Sequence, residues 1–94
     1  MKTYKIIDKS NLQVQYTFIA DSKFGIKQYH LLDSNEETLL YATDTEDKLV
    51  FSDKLHRKMK YYKLEYLYIF LKLISLSDKQ LFDSYIVCEE LENI

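Results

Sequence analysis

Midway along the chain the spacing of apolar residues changes from two to three or four, and no other feature restricts the fold as strongly. Before the change, Leu12, Val14, Tyr16 and Phe18 alternate with Gln13, Gln15 and Thr17. That is the period of a strand with one buried and one wet face. Thr3 to Ile7 precedes this segment across Asp8-Lys9-Ser10-Asn11, and Phe24 to Leu32 follows it across Asp21-Ser22-Lys23. Both flanks are rich in β-branched or aromatic residues, so three strands joined by short turns are expected. Thr38 to Thr43 and Lys48 to Phe51 read as two more strands around the acidic turn Asp44-Thr45-Glu46-Asp47.

After the change, Leu55, Met59, Tyr62, Tyr66, Ile69, Leu73 and Leu76 place one apolar stripe on a helix, with Ser52 as its N-cap. From Leu64 onward Leu67, Tyr68, Phe70, Leu71 and Ile74 fill the other arcs, and such a helix has to be covered on more than one side. A second helix is expected to start at Ser77. Ser77 and Gln80 have capping-box spacing, Leu76 and Leu81 stand at the positions of a hydrophobic staple, and Leu81, Phe82, Tyr85, Ile86, Cys88 and Leu91 form its buried side. The expected fold is therefore α+β: an antiparallel meander of four to five strands, followed by two C-terminal helices packed on it. Ninety-four residues suffice for one core, so residues 1–94 form a single domain, with strands in 1–52 and helices in 53–94. The chain has one glycine and no proline, which leaves most turns to Asp, Asn and Ser.

The same shortage of glycine restricts the chemistry. A phosphate-cradling loop, a dinucleotide fingerprint and a nucleophile elbow each need several glycines. His30 and His56 lie on different elements with no second ligand at metal-binding spacing, and the expectation is no metal and no cofactor. Asp44, Glu46 and Asp47 fail as a calcium loop, because the position that needs a bidentate Glu is Leu55. Cys88 is the only cysteine, which excludes an internal disulfide; on an apolar helical face it would be a small buried hydrophobe rather than a nucleophile. The start of the chain shows no secretory pattern, and the most apolar stretch, Tyr66 to Leu76, contains Lys72 and falls short of the roughly 20 residues of a membrane span. A cytoplasmic location is expected.

One charged segment stands out. Lys54, Arg57, Lys58, Lys60 and Lys63 fall together, interleaved with His56, Tyr61 and Tyr62, and no acid occurs among them before Glu65. Cations at a helix start oppose the macrodipole, so a compensating charge is required. Residues 34–53 hold six carboxylates against Lys48 alone and could supply it internally; an acidic protein surface or a phosphate backbone could supply it from outside. Net charge is −2, so the molecule as a whole has no strong field for nucleic acid.

With no catalytic spacing in sight, the expected function is a non-enzymatic protein–protein interaction module. A small inhibitor or adaptor fits, of the kind found among anti-defence (anti-CRISPR-like) and immunity proteins. Heavy use of Lys, Ile, Tyr, Asn and Asp suggests an AT-rich coding sequence, common in mobile elements. The expected partner site is Lys54, Arg57, Lys58, Lys60, Tyr61 and Lys63. The alternatives are a nucleic-acid-binding accessory protein using that basic segment, and a structural homodimer formed through the apolar part of the first helix.

Overall fold

In a computed structural model, residues 1–45, 48–51, 64–75 and 83–90 are described. Six strands form one antiparallel sheet: β1 (Lys2–Asp8), β2 (Val14–Lys23), β3 (Ile26–Leu32), β4 (Thr38–Asp44), β5 (Leu49–Phe51) and β6 (Tyr85–Glu90). A helix, α1 (Leu64–Ser75), lies between β5 and β6 in the chain. The strand order is β5-β4-β3-β2-β1-β6, so the first five strands make the expected meander and the last returns to the opposite edge.

Alternation divides the sheet cleanly. Tyr4, Ile6, Tyr16, Phe18, Ala20, Tyr29, Leu31, Leu40 and Ala42 share one face by register, and most are buried with Ile69, Phe70 and Leu73 of α1. Phe18 is the centre of this core. Its ring stacks on Tyr29 at 5.9 Å, meets Phe70 edge-on at 6.1 Å and touches Tyr4 at 6.0 Å. Burying each such ring contributes roughly 1.5–3 kcal/mol before the entropy of ordering is subtracted. The helical stripe falls where the spacing of Tyr66, Ile69 and Leu73 puts it, whereas Tyr68 and Leu71 point away from the sheet and are exposed.

Several expectations need correction. The second helix does not extend through its proposed buried side: Asp83 and Ser84 are helical, but Tyr85 to Glu90 is a strand paired with β1 from Asp8↔Tyr85 to Thr3↔Glu90. Tyr85, Ile86, Val87 and Cys88 suit a strand as well as a helix, and the outer edge of β1 carries N–H and C=O groups that only a strand can pair in register. Cys88 is in consequence exposed rather than buried, because alternation turns it away from Val87, which packs toward the core. Finally, β2 runs through Asp21 and Ser22 to Lys23, so the turn expected there is made by Phe24 and Gly25. Among the described residues the sheet has six strands where four to five were expected, and one helix is described where two were expected. The N-cap at Ser52, the capping box at Ser77 and Gln80, and the helical turns from Leu55 to Tyr62 lie outside the described residues.

Candidate protein-docking site

The expected partner site, Lys54, Arg57, Lys58, Lys60, Tyr61 and Lys63, lies outside the described residues. Another candidate is built by the β2–β3 hairpin. Lys23 pairs with Ile26, leaving Phe24 and Gly25 as a two-residue loop with φ of 54° and 78°. Two consecutive left-handed residues are the mark of a type I′ turn, whose twist matches that of the strands it joins. Asn and Gly normally fill it. Gly25 meets the backbone requirement at no steric cost, and a Cβ there would touch nothing within 4 Å. Phe24 does not: a bulky residue in this region costs about 1–2 kcal/mol.

The strain is not offset by packing. Phe24 is 103 % exposed, with its ring wholly in solvent. Ile26 (46 %) and Met1 (69 %) are further exposed apolar side chains at this end of the sheet, and Lys2, Lys23 and Lys27 are exposed beside them. Lys2 pairs with Ala20, which brings the start of β1 alongside the base of the hairpin.

At that base lies a cleft of about 400 Å³. Tyr4, Phe18 and Tyr29 form its floor and Leu73 and Ile74 one wall, while Lys2, Asp21 and Lys27 stand at the rim. Burial, with Asp44 nearby, pushes the Tyr29 phenol above its ordinary value, so it remains a neutral hydrogen-bond donor. The arrangement suits an apolar side chain entering between amines. It provides no nucleophile with an adjacent base.

The sheet face opposite α1 is built differently. Lys5 Nζ donates to Thr17 Oγ1 at 3.2 Å and forms ion pairs with Glu90 at 3.7 Å and Glu36 at 4.0 Å. Thr17 is only 4 % exposed, and this bond satisfies its hydroxyl. The carboxylates are half or more exposed, so each pair contributes well under about 1 kcal/mol. His30 lies across from Tyr41 with ring centroids 4.6 Å apart. Burial lowers the His30 pKa and Asp21 partly opposes the shift, so the imidazole is neutral at pH 7. Cys88 shares this face, but β1 and β2 separate its strand from that of His30, a distance of about 14 Å at ordinary strand spacing. The two cannot act as a thiol–imidazole pair. Among the described residues, no group of three or more His, Cys, Asp or Glu side chains is placed to hold a metal ion. No described helix is long and apolar enough to cross a membrane.

The sequence reading missed Phe24 by assigning it to the strand. The available signal was the sole glycine, one residue after it, since glycine readily takes the left-handed second position of a two-residue hairpin loop. No family model matches the chain, and no curated protein or solved structure matches it.

Proposed function

We propose that this chain is a non-enzymatic interaction module that docks the β2–β3 hairpin onto a larger protein, with Phe24 as the anchor. The observation that carries the reading is a phenylalanine held at φ 54° with its whole ring in water. Such a residue weakens the fold twice, through backbone strain and through exposed apolar surface, and a persistent local cost of this kind points to a role outside folding. Aromatic side chains that enter a pocket dominate interface energetics, and a preformed two-residue turn adds little ordering cost on binding. The lysines at positions 2, 23 and 27 favour a partner pocket with an acidic rim. A small inhibitor or adaptor, including one of the anti-defence or immunity type, is the most specific form of this reading.

The basic segment from Lys54 to Lys63 supports the competing reading of a nucleic-acid partner, and one experiment separates the two. Tagged wild type, Phe24→Asn and Arg57→Glu/Lys58→Glu are used for affinity capture from host lysate, with and without nuclease. The expected result is a protein held by wild type and by the double variant in both nuclease conditions, and lost by Phe24→Asn. Capture that disappears with nuclease, or that depends on Arg57 and Lys58 but not on Phe24, overturns the hairpin reading.

A further inference from the structure

Cross-strand register explains why the sheet is open at the base of the hairpin. Lys2 pairs with Ala20 and Ala20 with Tyr29, so on the face that carries α1 a methyl group lies between two long side chains. Ser22, the next residue of β2 on that face, pairs with Lys27. Small side chains on β2 between long ones on β1 and β3 leave the cleft, with its aromatic floor and with Leu73 and Ile74 as one wall. Its volume of about 400 Å³ falls within the range of about 300–1,000 Å³ that is usual for small-molecule sites.

The polar side chains that line this apolar cleft are mostly donors. Lys2 and Lys27 bring ammonium groups, and among the described residues neither has a salt-bridge partner. Ser22, Tyr4 and Tyr29 bring hydroxyls. Asp21 also borders the cleft, but its carboxylate is engaged elsewhere. It accepts the N–H of Ser22 at 2.8 Å, and alternation puts it on the opposite face, where its charge acts on His30. Asp44 and Glu89 share the α1 face, opposite Lys27 and Tyr4 in register, without lining the cleft. Their charges count against a doubly charged ligand, so a carboxylate fits better than a phosphate ester.

We propose that the cleft binds a small amphipathic monocarboxylate, with its apolar body over Ala20 and the aromatic floor and its carboxylate between the amines of Lys2 and Lys27. The last turn of α1 sets the direction. Leu73 and Ile74 belong to that turn, whose carbonyl end carries partial negative charge, so the apolar end of the ligand lies against this wall and the carboxylate lies toward the hairpin. Lys2 and Lys27 stand on that side, level with Ala20 and Ser22 and so nearer the hairpin than Phe18. The apolar floor supplies affinity and the amines supply selection for a negative head. This inference goes beyond the hairpin reading and does not rest on it, since Phe24 is not part of the cleft lining.

The test is an NMR titration of the full chain with sodium octanoate to about 10 mM, a range that covers weak binding. Amide shifts should concentrate at Ala20, Ser22 and Tyr29 and saturate with a dissociation constant of about 1 mM, as expected of so small a ligand. Octylammonium, the same chain with the opposite charge, should bind at least about tenfold more weakly. Lys2 and Lys27 are exposed, so Lys2→Gln/Lys27→Gln keeps the fold; it should weaken octanoate by about tenfold and abolish the preference over octylammonium. Ala20→Leu fills the cleft and should abolish the shifts, with the remaining amide spectrum reporting that the sheet is intact. A wild type without saturable shifts at the cleft overturns the inference. So does octylammonium binding as tightly as octanoate, octanoate binding unchanged in the double lysine variant, or shifts that persist in a folded Ala20→Leu protein.

Discussion

The turn between β3 and β4 and the turn between β2 and β3 reverse the chain by opposite means. At residues 33–37 the backbone is held by a side chain: Asp33 Oδ1 accepts the N–H groups of Asn35 and Glu37, both at 2.9 Å, while Glu36 takes the left-handed position at φ 65°. The β1–β2 turn follows the same logic, with Asp8 accepting both the N–H of Ser10 at 2.8 Å and its hydroxyl at 2.7 Å. These bonds hold the Asp8 carboxyl below its usual range. At residues 24–25 neither side chain can form a hydrogen bond, and the bulkier residue occupies the strained position. Two turns are held by an aspartate, although the one between β1 and β2 also puts an exposed apolar residue, Leu12, in the left-handed region at φ 58°; the third has no side-chain bond to hold it. The comparison separates turns held by side-chain hydrogen bonds from one held by none, where the larger apolar side chain is also wholly exposed, and it is the reason for placing the partner site at Phe24.

The largest effect expected from this contrast is on binding. Phe24→Asn should weaken partner binding by about 2 kcal/mol or more, roughly thirtyfold, as truncated aromatic anchors do. The same change should raise unfolding free energy by about 1 kcal/mol, because Asn tolerates the left-handed conformation. Titration calorimetry and urea denaturation of one variant would check both signs. Loss of stability together with binding would show Phe24 to be a fold residue and dissolve the contrast.

Gly25→Ala comes next. Open space surrounds the new methyl group, so only the backbone resists, and a loss of about 1.5 kcal/mol in urea unfolding is expected. Asp33→Ala should cost about 1 kcal/mol by leaving two turn N–H groups to water, with partner affinity unchanged. An effect of Asp33→Ala on binding would extend the docking surface across the molecule.

The smallest effect is the pH dependence set by His30 on the sheet face away from α1. Burial holds its folded pKa below the ordinary imidazole value of 6.5, so the unfolded chain binds the proton more tightly. Stability from this group is therefore unchanged above that value and declines as pH falls below 6.5 toward the folded pKa. His30→Gln should flatten the stability profile in that interval, as thermal melts at pH 7 and pH 5.5 would show.

How much of this was legible in advance depends on whether the cause was local. Alternation and turn chemistry are local, so the five-strand meander and the turns at Asp8 and Asp33 could be read from residue order. The stripe of Tyr66, Ile69 and Leu73 could be read in the same way. The hairpin tip was readable in principle from Gly25, but the aromatic ring of Phe24 argued for a strand position and concealed the turn.

The end of the chain was not legible, because Tyr85 to Cys88 satisfies two periods at once. By itself the sequence determined which residues are apolar, where the period changes and which side chains close two of the turns. Only the tertiary structure decided that residues 85–90 are a strand, since the unpaired edge of β1 belongs to residues some eighty positions earlier. Local preference could not distinguish helix from strand there, and a ladder of backbone hydrogen bonds could. The same choice turned Cys88 outward, because a period of two and a period of 3.6 put it on different faces.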